Sequence, residues 1–85
     1  NISLGPAYAI DDDDVSPWTA RLDQLLATGE TVATVACGNN GANDRTSGLH
    51  RIQPPSDGVN MLGVGASDGF GMGWKRADYS ACGPG

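Results

Sequence analysis

Asn39 stands where an apolar run, Thr31-Val32-Ala33-Thr34-Val35-Ala36-Cys37, breaks into Gly38-Asn39-Asn40-Gly41. A short apolar run ended by turn residues reads as a strand covered on both faces. In open α/β sheets, ligands and chemistry gather beyond the carboxyl ends of such strands. An asparagine at that point offers its side-chain amide as a hydrogen-bond donor. The plain alternative is that Asn39, with Asn40 and Gly41, only serves a left-handed turn. The other reactive types are sparse. His50, the single histidine, sits in Gly-Leu-His-Arg-Ile and reads as a loop residue. Ser56 and Ser80 have no nucleophile-like surroundings. Cys37 and Cys82 fit no metal-ligand spacing and are either a disulfide or two buried thiols.

The run Asp11-Asp12-Asp13-Asp14 carries hard oxygens of the kind calcium takes, but lacks the alternation and glycine of an EF-hand loop. Its plain reading is a solvated acidic loop, so the expectation is no cofactor, with calcium as the minor alternative. Gly63-x-Gly65 and Gly69-x-Gly71-x-Gly73 open no helix and lack the full fingerprint, which argues against nucleotide binding.

These residues need elements to hold them, and the chain has room for one domain. It has 85 residues, 39% hydrophobic and 6% aromatic, so its core must be thin. Its 13 glycines show no collagen period and imply many tight turns. The net charge of −5 argues against nucleic acid or an anionic membrane as partner. No apolar stretch has the length to span a bilayer. No basic region followed by an apolar segment is visible, so no signal peptide is expected here. Opening on Asn1, the chain reads more easily as a piece of a longer product.

Ile2-Ser3-Leu4 reads as the end of a strand stopping at Gly5-Pro6. Ser16-Pro17 then opens a helix, with serine at the N-cap and proline at the first position. Trp18, Leu22, Leu25 and Leu26 form one apolar stripe along it, and Gly29 closes it. The Thr31–Cys37 strand follows, and strand-helix-strand with short connections implies a parallel pair. Residues 38–58 make a long polar loop in which Pro54-Pro55 excludes regular structure. Asn60–Ala66 is the next strand, Ser67-Asp68-Gly69 a turn, and the tail a short strand around Tyr79 before a glycine and proline loop.

The order strand, helix, strand into Ala36-Cys37-Gly38-Asn39-Asn40-Gly41, loop, Pro54-Pro55-Ser56, then Asn60-Met61-Leu62-Gly63-Val64-Gly65-Ala66-Ser67-Asp68 resembles the subtilisin-like serine proteases. There the same order appears as Ser-Leu-Gly, helix, Ala-Ala-Gly-Asn-x-Gly, a Pro-Ala/Ser loop and a Val-x-Val-Gly-Ala strand. The match runs from about Ile2 to Gly85, including Tyr79-Ser80-Ala81-Cys82-Gly83-Pro84.

The resemblance implies an α/β fold with a parallel sheet in the subtilisin-like three-layer arrangement, residues 1–85 being a central segment of the peptidase domain. Asn39 matches the oxyanion-hole asparagine, whose amide stabilises the alkoxide formed when a peptide carbonyl is attacked. Ser3-Leu4-Gly5 matches the segment that pairs with an extended substrate. Ala36-Cys37-Gly38 matches one wall of the pocket for the residue before the scissile bond, with Asn40 at its rim and Gln53 at its floor. The family has alanine where Cys37 stands. The catalytic aspartate, the His-Gly-Thr-His motif and the Gly-Thr-Ser nucleophile are not in these residues, so the chain alone is expected to bind and orient but not to cleave. The expected partners are a peptide or protein substrate and the remainder of the domain. The rival expectations are an inactive subtilisin-like interaction domain and a small acidic calcium-binding domain.

Overall fold

The computed structural model describes residues 1–10, 13–71 and 73–83. Helix α1 spans Pro17–Leu26, and it begins as its sequence directs. Ser16 Oγ accepts from Thr19 N at 3.0 Å, and Pro17 takes the first turn, where its missing N–H costs no intrahelical bond. Beyond the last turn, Gly29 N donates to Leu26 O and Gly29 turns left-handed, at φ 74°.

The one fully buried residue of α1 lies off the apolar stripe. Trp18 is 36% and Leu25 55% exposed, whereas Thr19 is fully buried. Thr19 and Asp23 lie one turn apart on the same face, and both grip the 57–60 turn. Thr19 Oγ1 donates to Asp57 Oδ1 at 2.7 Å, and the Asp23 carboxylate accepts from Val59 N at 3.0 Å and Asn60 N at 2.8 Å. A polar clamp therefore docks the helix, and the apolar stripe is covered only in part, Leu22 and Leu26 being half-buried and Trp18 and Leu25 exposed.

Strand β1, Thr34–Ala36, pairs in parallel with β2, Leu62–Val64, in the register Thr34↔Leu62, Val35↔Gly63, Ala36↔Val64. On its other side β1 meets the N-terminal segment at one parallel bridge, Ile2↔Val35, through Ile2 N to Thr34 O and Ala36 N to Ile2 O, both 2.9 Å. The parallel arrangement matches the sequence reading, but the strands are shorter. The expected cover on both faces is also missing. Val35 is completely buried, while Val32 is 74% exposed and all of β2 is exposed.

The C-terminal third departs further from expectation. Ser67–Asp68, read as part of a turn, is strand β3, antiparallel to β4, Lys75–Arg76. Tyr79, expected in a strand, lies in a turn closed by Ser80 N to Ala77 O at 2.9 Å. The tail is anchored by the parallel bridge Arg51↔Cys82. Both cysteines are free thiols.

The described residues thus form a small mixed α/β unit with one helix and short strands. It exposes 5643 Å², against roughly 4,700 Å² for a compact monomer of its 8.7 kDa mass. Apolar side chains such as Leu62, Val64 and Leu25 are among those exposed. Two paired strands and one helix do not make an independently stable sheet. The isolated 85 residues should therefore show no cooperative thermal transition and should bind a hydrophobic dye at room temperature. A sharp melt from a monomer would contradict this.

Candidate functional site

The site forms where the Ile2 segment and β1 separate. Had the parallel ladder continued past Ile2, Leu4 N–H would donate to the Ala36 carbonyl and Gly38 N–H to the Leu4 carbonyl. Neither bond is made, and Ser3, Leu4 and Gly5 have no backbone partner among the described residues. The strands diverge, and a groove of ≈ 380 Å³ opens between them, lined by Ser3, Leu4, Gly5, Ala7, Ala36, Gly38, Asn39, Asn40 and Gln53. Its two walls carry unpaired backbone donors and acceptors, which is what an added extended chain requires.

Gly38 carries the sharp bend at the end of β1. Its φ is 114°, a conformation that favours glycine, and a Cβ there would overlap Asn40 Oδ1 and stand 3.2 Å from Gln53 Cγ. Among the described residues no non-glycine residue has positive φ. Asn39 and Asn40 are therefore not present as left-handed turn formers; the glycine before them takes that conformation.

The two asparagines have different fates. Asn40 is half-buried, and its Nδ2 donates to Leu49 O and, at 2.8 Å, to Arg51 O. It ties the 42–51 loop back onto the groove, and its Oδ1 is buried without a partner. Asn39 is exposed at the groove lining, and its side chain makes no hydrogen bond among the described residues. Of the two, only Asn39 has its amide donors unused at the groove.

Six of the seven residues expected at the site, Ser3, Leu4, Gly5, Ala36, Gly38 and Asn39, line this one groove, with Asn40 and Gln53 beside them. Cys37 does not. Side chains alternate along a strand, so with Ala36 and Gly38 at the groove, Cys37 points elsewhere. Its Sγ lies 3.3 Å from where a Cβ on Gly63 would stand. Cys37 reaches the site only through its backbone, its carbonyl accepting from Gln53 N at 3.0 Å. Ala7 lines the groove without any signal in the sequence, since a lone alanine in a loop has none to give.

Gln53 lies 7% exposed beneath both walls, its Cβ 3.7 Å from a Cβ position on Gly5 and its Cγ 3.2 Å from one on Gly38. Ser56 and Ser80 are buried and spend their hydroxyls on the backbone, Ser56 Oγ donating to Gln53 O and Ser80 Oγ accepting from Ala66 N. The His50 carbonyl accepts from Cys82 N, and its Nδ1 is buried without a partner.

No groove-lining residue is charged. Among the described residues the titratable group with a displaced pKa is Asp44, at the surface and outside the groove lining. The Thr46 hydroxyl, then the Thr46 backbone N–H, hold its carboxyl below the ordinary value. Among the described residues no group of three or more His, Cys, Asp or Glu is placed to hold a metal ion. Asp11 and Asp12 of the acidic run lie outside the described residues, and Asp13 and Asp14 are exposed. Within the described residues no helix is long and apolar enough to cross a membrane. No family model, curated protein or solved structure matches the chain.

Proposed function

We propose that this chain is a central segment of a subtilisin-like serine endopeptidase, supplying the oxyanion donor and the substrate-holding strands of a longer parent protein. The observation that supports the reading most is Asn39. Its amide makes no hydrogen bond among the described residues, and it lines a groove that leaves the Ser3–Gly5 backbone, the Ala36 carbonyl and the Gly38 N–H unpaired. An extended peptide adds to the Ser3–Gly5 edge on one side and to Ala36–Gly38 on the other, through the donors and acceptors that the diverging strands leave open. The residue before the scissile bond enters the groove above Gln53.

Attack of a serine hydroxyl on the held carbonyl forms the C–O bond, and the carbonyl π pair moves onto oxygen. Asn39 Nδ2–H donates to that oxygen. The donor stabilises the alkoxide more than the ground-state carbonyl, so it lowers the barrier and not only the binding energy. Collapse expels the amine, and water then releases the acyl group. The serine, histidine and aspartate for these proton transfers belong to the parent outside these 85 residues, which alone should be inactive.

Treating the parent with a serine-directed fluorophosphonate tests the reading. Hydrolysis of a peptide substrate should stop in step with covalent labelling of one serine. Cleavage that survives full labelling, or a parent that neither cleaves nor labels, would contradict an endopeptidase; the second result would favour an inactive interaction domain of the same shape.

A further inference from the structure

The Asn39 side chain makes no hydrogen bond among the described residues, so its direction is set by the backbone on either side of it. That backbone is tied at two points to the 79–81 turn. Gly38 O accepts from Ala81 N at 3.0 Å, and Gly41 N donates to Tyr79 O at 2.8 Å. The two bonds bracket Asn39 and Asn40. The aim of Asn39 therefore depends on what holds that turn.

Arg76 holds it. Its Nη1 donates to Ala77 O at 3.0 Å, to Asp78 O at 3.3 Å and to Ser80 O. Ser80 N also bonds Ala77 O, at 2.9 Å, but among the described residues no backbone N–H reaches Asp78 O or Ser80 O. Hydrogen bonds from a charged donor are roughly twice as strong as neutral ones. One charged nitrogen on three carbonyls fixes the turn as a unit. The same nitrogen stands 2.7 Å from where a Cβ on Gly41 would lie, so it fits against the Asn39 turn because Gly41 has no side chain.

We infer that Arg76 is a positioning residue for the oxyanion donor, acting on turnover by holding the turn that aims Asn39. This inference rests on the peptidase reading proposed above. Arg76 does not line the groove, so it does not act by holding the peptide. A donor whose bond is made only after attack must already point the right way, and its misdirection raises the barrier without weakening substrate binding. Loss of the guanidinium pushes no atom into the groove wall, as a side chain added at Gly41 would. It only releases the turn. The loss therefore belongs to kcat.

The test is a double-mutant cycle on the parent protein, with kcat and KM measured on one peptide. Arg76→Met keeps the stem and removes the donors. Its kcat should fall ~10-fold, less than the ~10² that a 1 Å misplacement can cost, with KM within about twofold. Arg76→Lys should recover part of the loss, because an ammonium still donates. In an Asn39→Ala background, Arg76→Met should lower kcat by no more than about twofold, because no amide remains to be aimed. An equal loss with and without the Asn39 amide, or a loss confined to KM, would overturn the inference and leave the peptidase reading intact. If neither Arg76 variant folds, hydrogen exchange on the unaltered parent decides. Gly41 N–H and Ala81 N–H should exchange only with global unfolding, and local opening at either would overturn the inference. A parent that neither cleaves peptides nor labels with the fluorophosphonate would overturn the peptidase reading, and this inference with it.

Discussion

Replacing Gly41 by alanine should destabilise the parent protein by about 3 kcal/mol, at the upper end of what overpacking costs. Gly41 is buried, and its N–H donates to Tyr79 O at 2.8 Å. A Cβ there would collide with the Ser80 carbonyl group, lying 2.5 Å from its carbon and 2.7 Å from an Arg76 guanidinium nitrogen. Both obstacles are held. Arg76 donates to the carbonyls of Ala77 at 3.0 Å, Asp78 at 3.3 Å and Ser80, which fixes the turn from below. Relief therefore means lifting the 77–82 turn away from the groove. That movement breaks the bond from Ala81 N to Gly38 O, 3.0 Å, which braces the groove wall. Thermal denaturation should show a midpoint lower by several degrees, with a raised KM for peptides in the folded fraction. A variant that melts with the unaltered protein would show that the turn does not press on Gly41.

Asn39→Ala should leave that packing alone and act on turnover. The side chain is exposed and bonds to nothing among the described residues, so its removal costs little stability. Its proposed partner exists only after attack, when the carbonyl oxygen carries a charge. The loss should appear in kcat, by ~10²–10³ or about 2.7–4 kcal/mol, with KM nearly unchanged. That magnitude is the one established for subtilisin itself, and it applies to this groove only through the resemblance. Asn39→Asp should be at least as damaging, because a carboxylate offers no donor and opposes the growing charge. Initial rates over a range of peptide concentration separate the two parameters. A loss confined to KM would place Asn39 among the residues that only hold substrate.

What residues alone reveal depends on how local the cause is. The N-cap at Ser16 and the left-handed Gly29 follow from short-range chemistry, and both are present. The strand end before Asn39 is legible for the same reason, since an apolar run breaks at Gly38-Asn39, whereas Ser3–Gly5 and Ala36–Gly38 as walls of one site are what the resemblance implies. Cys37 departs from the expectation of one continuous wall, Ala36-Cys37-Gly38, because strand parity sends the middle residue away from its neighbours. The helix face differs because an apolar stripe at helical spacing implies burial, whereas Thr19 and Asp23 find their partners at Asp57, Val59 and Asn60, more than thirty residues on. The β3–β4 hairpin is invisible to patterning because Ser67-Asp68 and Lys75-Arg76 are polar, with no alternation to mark them. The clamp from Asn40 to Leu49 and Arg51 is a tertiary fact that spacing does not contain.

The proposal turns on where one amide points when a carbonyl is under attack. A crystal structure of the parent with a peptide aldehyde bound through its catalytic serine would place a tetrahedral oxygen in the groove. Asn39 Nδ2 should lie about 2.7–3.1 Å from that oxygen. The oxygen held by other donors, with Asn39 turned to solvent, would contradict the proposed role.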